Sequence, residues 1–116
     1  MTQNNLALVK DKLPDLAFLG TCNPKIRKYI LENADKKLID AIRECLHNLL
    51  KGNLPIKKND MKTIKKHKKY IRMVASGNCF KKNKQILVQK GGFLSILLPT
   101  AVQLLTTLLT NKSNEK

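Results

Sequence analysis

The residues with the clearest chemical potential are basic and closely spaced. Ten Lys or Arg residues lie between Met61 and Lys90, and this stretch contains no Asp or Glu. A solvated helix face usually mixes both signs of charge, so an uncompensated run favours binding of an anionic partner. Lysine binds phosphate as a point charge and lacks the planar fork with which arginine reads base edges. We therefore predict phosphate contacts with little sequence specificity from nine side chains: Lys62, Lys65, Lys66, Lys68, Lys69, Arg72, Lys81, Lys82 and Lys84.

The composition of the whole chain agrees with this prediction. Its 116 residues include 23 Lys or Arg against 8 Asp or Glu, a formal net charge of +15. Such a charge attracts DNA, RNA or an anionic membrane. Aromatic residues make up only 4% and Trp is missing, which disfavours single-strand binding by base stacking and the common RNA-binding signatures. Nucleic acid is the predicted partner and an anionic membrane is the alternative, while a ribosome- or RNA-associated role is less favoured.

Motifs for catalysis or metal binding are missing from the sequence. There is no P-loop, nucleophile elbow or paired-carboxylate motif, so we expect no enzyme activity and no cofactor. Cys22, Cys45 and Cys79 are widely spaced and do not combine with His47 and His67 into a zinc pattern. We expect free thiols, no metal, and a reducing compartment. The polar first residues do not form a signal peptide, which favours cytosol or nucleus.

The elements that must position the lysines are predicted to be helices. Asp35 is a good N-cap, and the helix after it has an apolar stripe formed by Leu38, Ile39, Ile42, Cys45, Leu46, Leu49 and Leu50. Gly52 and Pro55 are expected to end that helix. A basic helix follows, capped by Asn59 or Asp60 and reaching about Ala75.

The first part of the chain has weaker signals. A short helix with an apolar side is expected to break near Pro14, and residues 20–23 read as a loop. Asn23 followed by Pro24 is typical of an N-cap and first helical residue, so a second helix is predicted through Leu31.

The C-terminal part changes abruptly in composition. Residues 91–110 contain no charged residue. The length of this uncharged segment is at the lower limit for a helix that crosses a bilayer. Pro99 and several Ser, Thr and Gln residues interrupt the apolar run. An amphipathic helix on a membrane or a partner therefore fits as well as a transmembrane helix. The apolar side would consist of Leu94, Leu97, Ala101, Leu104, Leu105 and Leu108.

Together these patterns predict an all-α protein, a small bundle of short helices followed by a basic linker and an apolar helical tail. Residues 1–34 form a poorly defined helical segment, and 35–76 form a helical hairpin with a basic second helix. Residues 77–90 are the basic linker, in which 85–89 could also be a strand, and 91–116 are the tail. The hairpin could mimic a helix-turn-helix, but its second helix has few residues that read bases.

One combination of segments resembles a known family. The sequence Lys-Gly-Gly-Phe-Leu at 90–94, after many lysines and before an apolar tail, resembles the precursor of adenovirus core protein X, also called mu. Residues 35–110 are similar to small proteins of adintoviruses and Maverick (Polinton) elements. The resemblance implies a virion core protein that condenses double-stranded DNA, located in the virion and the host nucleus, with other capsid proteins as neighbours.

The resemblance also implies maturation by a viral cysteine protease that cuts after a Gly-Gly pair. The cleavage site would comprise Gly91, Gly92 and Phe93, with the cut after Gly92. This chain departs from the family at Gln89, where a large aliphatic residue is usual. It is also rich in lysine where mu is rich in arginine.

Overall fold

The computed structural model describes residues 3–51 and 56–114, and within these ranges it contains helices and no strand. The predicted all-α class is therefore confirmed. The helices are α1 (Gln3–Thr21), α2 (Pro24–Glu32), α3 (Lys36–Leu50), α4 (Lys58–Lys66), α5 (Lys68–Ser76), α6 (Phe80–Lys90) and α7 (Leu94–Asn114), with a 3-10 turn over Gly91–Phe93.

Helices α2 and α3 begin where the capping residues predict. The Asn23 side chain accepts a hydrogen bond of 2.8 Å from the backbone N–H of Ile26, and Pro24 is the first residue of α2. Asp35 accepts one of 2.9 Å from the backbone N–H of Leu38. Each cap satisfies one donor that a helix start leaves unpaired. The predicted helix end at Gly52 and Pro55 lies outside the described residues.

Helix α3 lies at the centre of the molecule. It packs against α1 and α5, with further contacts to α6 and α7. The predicted apolar stripe is buried, apart from the half-buried Leu50. Helix α3 contributes seven buried hydrophobic side chains to the core, more than any other helix among the described residues.

The predicted break near Pro14 is wrong, and the loop predicted over residues 20–23 is confined to residues 22–23, because α1 continues to Thr21. Pro14 lies on the exposed side of the helix, while Val9 and Leu16 are buried. Gly20 is where α1 comes closest to α7. A Cβ atom at this position would lie 2.7 Å from Cδ of Pro99, so only glycine permits this close approach.

The basic stretch forms two helices where one was predicted. Helix α4 begins at Lys58, after an N-cap residue whose side chain makes no capping bond, so the predicted caps Asn59 and Asp60 are wrong. The Asp60 carboxylate instead accepts a hydrogen bond of 3.0 Å from the Thr100 hydroxyl on α7. The helix breaks at His67, whose ring lies 5.6 Å from the ring of Phe93. Packing between distant segments thus overrides the local helical pattern.

The described residues of the predicted linker and of the predicted tail pack against the other helices. Residues 80–90 form α6, with Leu87 buried, and α7 packs mainly against α1. The buried side of α7 comprises Leu94, Leu97, Leu98, Ala101 and Leu105. One hydrophobic core contains side chains from all seven helices. The predicted segments are therefore parts of a single packed unit, because the apolar faces of α6 and α7 are the surfaces that cover α2, α3 and α1.

Among the described residues, the stretch Phe80–Thr107 is long and apolar enough to cross a membrane. This criterion uses length and composition alone, and a buried core helix also meets it. Here much of the apolar side of α7 faces other helices of the protein.

Candidate nucleic-acid interface

The basic side chains of α4, α5 and α6 lie mainly on the outside of the molecule. Eight of the nine predicted phosphate-contact residues are exposed, and only Lys84 is partly buried. The same helices are anchored by buried side chains such as Ile64 and Ile71. We call the eight exposed residues the basic surface: Lys62, Lys65, Lys66, Lys68, Lys69, Arg72, Lys81 and Lys82.

The charges of the basic surface have no acidic partners within the described residues. The ion pairs found there join Lys12 to Asp15 at 3.9 Å and Lys36 to Asp40 at 2.7 Å, and both lie before α4. In the sequence, residues 1–60 carry eleven basic and seven acidic residues, whereas residues 61–90 carry ten basic and none acidic. The positive potential is therefore concentrated on α4, α5 and α6. Two carboxylates lie at the edges of this region: Asp60 in the first turn of α4, and Glu32, which lines a pocket together with Lys81.

Lysines from two helices meet at Tyr70. The ammonium groups of Lys69 on α5 and Lys90 at the end of α6 lie 5.8 Å and 5.7 Å from the centre of the Tyr70 ring. The aromatic face attracts both cations and offsets part of their mutual repulsion. Lys90 therefore lies beside the basic surface. It was not among the nine predicted residues, because no local pattern indicates a contact between positions 70 and 90.

The turn between α5 and α6 fixes how these two helices meet. Asn83 is buried and its amide donates a hydrogen bond of 3.1 Å to the carbonyl of Gly77. A Cβ atom at Gly77 would lie 2.6 Å from the carbonyl oxygen of Met73 and would also overlap the Asn83 side chain. Glycine is therefore required by the close approach of backbone and side chain at this turn.

Lys84 has a different role from the eight exposed residues. Its ammonium donates a hydrogen bond of 2.9 Å to the carbonyl of Ala34 and lies 5.2 Å from the centre of the Phe80 ring. The hydrogen bond holds α6 against the junction of α2 and α3, whereas Phe80 belongs to α6 itself. Lys84 is therefore the least available of the nine predicted residues for a phosphate contact.

The predicted cleavage site is folded into the 3-10 turn. Gly91 and Phe93 are buried, and Gly92 is exposed between them. Phe93 is only 1% exposed. Cleavage after Gly92 would therefore need local opening of the turn before the chain could enter a protease. Processing at this position stays a prediction.

The thiols differ in accessibility. Cys79 is exposed, Cys22 is partly buried and Cys45 is buried in α3. Burial, with a smaller contribution from the Glu44 carboxylate, raises the pKa of the Cys45 thiol from 9.0 to about 12. Cys45 is therefore a neutral core side chain. Among the described residues, no group of three or more His, Cys, Asp or Glu side chains could hold a metal ion.

Comparisons of the chain with protein-family models, curated proteins and solved structures found no match. The feature that most needs a functional explanation is the exposed basic surface on α4, α5 and α6, whose charges form no ion pair within the described residues.

Proposed function

We propose that this chain binds double-stranded DNA through the basic surface and condenses it, as a core protein in the virion of an adenovirus-like virus or related element. The observation that carries the proposal is the exposure of eight basic side chains in a stretch with no acidic residue. Folding does not require this arrangement, because the core of these helices is formed by their other faces.

The chemistry of the basic surface suits the DNA backbone. Each lysine that neutralises a phosphate releases condensed counterions, which makes binding strongly dependent on salt. With lysine in seven of the eight positions, the contacts position the protein without reading bases. Binding should therefore be similar for duplexes of unrelated sequence.

Condensation requires that one protein neutralises more than one stretch of duplex. Exposed lysines also occur outside the basic surface, at Lys10 on α1 and at Lys51 directly after α3. They supply further cations that a second duplex segment could contact. The net charge of +15 on so small a chain favours such bridging.

The assignment to a virion core is supported by the resemblance of residues 35–110 to adenovirus core protein X precursors and their relatives. In this proposal the virion holds the protein with packaged DNA, and the viral cysteine protease acts at Gly91, Gly92 and Phe93. Because Phe93 is buried, we expect cleavage to be slow in the folded protein and faster when the turn is opened.

A salt titration on duplex DNA tests the binding proposal. The dissociation constant of the full chain is measured with two duplexes of equal length and unrelated sequence between low and physiological salt. We expect affinities for the two duplexes that agree within about threefold and a log–log salt slope of about −4 or steeper. A flat salt dependence, or no binding at low salt, would contradict the proposal.

Membrane association is the second candidate, and the observation that favours it is the long apolar stretch Phe80–Thr107. Its buried leucines would have to leave the core before they could contact lipid. Flotation of the full chain with anionic vesicles, with and without competing duplex, separates the two functions. Flotation that persists at high salt would favour insertion, whereas flotation lost on adding salt or DNA would reflect the basic surface alone.

A further inference from the structure

A second basic feature lies between α2 and the end of α6, away from the residues of the basic surface. A cleft of about 300 Å³ opens there, lined by residues that include Arg27, Lys28, Leu31, Leu87, Gln89 and Gly92. Its volume is at the lower end of the range for small-molecule sites. The lining combines two cations with an apolar floor.

Arg27 is the central group of this cleft. It is only 7% exposed, and no described carboxylate lies within 4.0 Å of it. Its Nε donates a hydrogen bond of 2.8 Å to the carbonyl of Leu19, and Nη2 donates one of 2.9 Å to that of Cys22. These bonds cap the end of α1 and hold the guanidinium in place.

The guanidinium still has donors to spare. Arginine has five N–H donors, and Nη1 makes no hydrogen bond to a described residue. No side-chain nitrogen in the described part of the chain is both sealed from solvent and unpartnered, so Nη1 of Arg27 keeps access to solvent, and Arg27 is one of the residues that line the cleft. A buried cation with a free donor at a cleft surface is suited to a charged oxygen ligand.

The surroundings of Arg27 favour an anion with a nonpolar portion. Lys28 is exposed at the rim, and Pro24 places the positive end of the α2 dipole at the same cleft. The apolar floor of the cleft is formed by Leu31 and Leu87, each only 1% exposed, together with the partly buried Val88, against which a planar ring could lie. A phosphate attached to a nucleoside matches both parts of the lining.

We propose that this cleft binds a phosphate monoester of mononucleotide size, with the phosphate on Arg27 and Lys28 and the ring on the apolar floor. The proposal does not depend on DNA binding by α4, α5 and α6, because the two sets of residues do not overlap.

An NMR titration of the full chain with the deoxynucleotide dAMP tests the proposal. The Arg27 Nε–H and the backbone amides of α2 should shift at sub-millimolar to millimolar ligand, and inorganic phosphate should bind more weakly than dAMP. Absence of a shift at Arg27, or equal binding of phosphate and dAMP, would overturn the assignment.

Charge reversal on α2 supplies a matched pair of variants. Lys28→Glu alters the rim of the cleft, whereas Lys25→Glu makes the same change of charge at an exposed position on the same helix that does not line it. We expect Lys28→Glu to weaken dAMP binding by about tenfold and Lys25→Glu by less than about twofold. Equal weakening by the two variants would show a general effect of charge and overturn the proposal.

Failure of this proposal and failure of the DNA proposal are distinguishable. The double variant Lys65→Gln, Lys66→Gln, changed on α4 alone, should weaken duplex binding and leave the dAMP titration unchanged. Loss of dAMP binding in this variant would contradict a separate site. Since Arg27 also caps α1, the test uses its Nε–H signal in the unaltered chain, which requires no Arg27 variant.

Discussion

Helices α3 and α5 pack against each other and bury their apolar stripes in the same core, yet their outer faces differ. On α3, Lys36 is paired with Asp40 at 2.7 Å, and Glu44 lies one turn further along. On α5 the exposed Lys68, Lys69 and Arg72 have no described acidic partner. The inner faces determine the fold, so the difference between the outer faces is available for function.

The largest effect is expected when α7 is removed, because α7 supplies several buried side chains to the core that α3 and α5 share. Deleting residues 94–116 takes four buried leucines and a buried alanine out of the core: Leu94, Leu97, Leu98, Ala101 and Leu105. Each buried leucine contributes about 2–5 kcal/mol, whereas a whole domain is stable by about 5–15 kcal/mol. The truncated chain should lose its cooperative thermal transition in circular dichroism. A truncated chain with an unchanged transition would mean that α7 is a dispensable tail.

A substitution in the turn between α5 and α6 should have the next largest effect. Gly77→Ala places a methyl group against the carbonyl of Met73 and the side chain of Asn83, and we expect a loss of about 1–3 kcal/mol in the free energy of unfolding. Gly92→Ala is the matched control, because no atom lies within 4 Å of its added Cβ. Urea unfolding of both variants checks the difference. Equal stabilities would contradict the close approach at Gly77.

Local signals in the sequence were sufficient for α2 and α3. Asn23 and Asp35 are caps whose partners lie three residues away, and the α3 stripe is periodic, so both could be predicted. Helix α6 was missed because residues 85–89 are too short an apolar run to distinguish a helix from a strand or linker. Its packing depends on α2 and α3, which lie far away in the sequence.

Part of the candidate site could also be predicted from local signals in the sequence. Charge along the chain indicated the eight exposed residues of the basic surface. The role of Lys84 depends on Ala34, fifty residues away, and the burial of Arg27 depends on the end of α1. Contacts of this kind leave no periodic pattern in the sequence, so side-chain roles that arise from tertiary structure could not be predicted.

Smaller effects on stability and on DNA binding should distinguish the hydrogen-bonded Lys84 from the exposed Lys81, both on α6. Lys84→Met removes the hydrogen bond to Ala34 and should cost about 1 kcal/mol of unfolding free energy, with little change in the salt slope of DNA binding. Lys81→Met is the matched control at an exposed position with no described contact. It should leave stability unchanged and reduce the magnitude of the slope by about 0.9. Thermal unfolding and salt titration of both variants check this, and the reverse pattern would contradict the assignment.

The smallest effect at neutral pH is expected at Cys45. Its raised pKa means that the folded state favours the neutral thiol, so its contribution to stability is full below pH 9 and is lost as pH rises toward about 12. The difference in unfolding free energy between the unaltered chain and Cys45→Ala should be constant up to pH 8 and decline above pH 9. A difference that stays constant to pH 11 would contradict burial of this thiol.

The most direct test of the basic surface compares two pairs of adjacent lysines. Lys65→Gln with Lys66→Gln changes α4, and Lys36→Gln with Lys37→Gln changes α3, so both double variants lose the same charge at exposed positions. The salt dependence of duplex binding is measured for each. We expect the magnitude of the log–log slope to fall by about 1.8 for the α4 pair and by clearly less for the α3 pair. Equal decreases would contradict the central claim, because they would mean that net charge alone, and not the basic surface of α4, α5 and α6, determines binding.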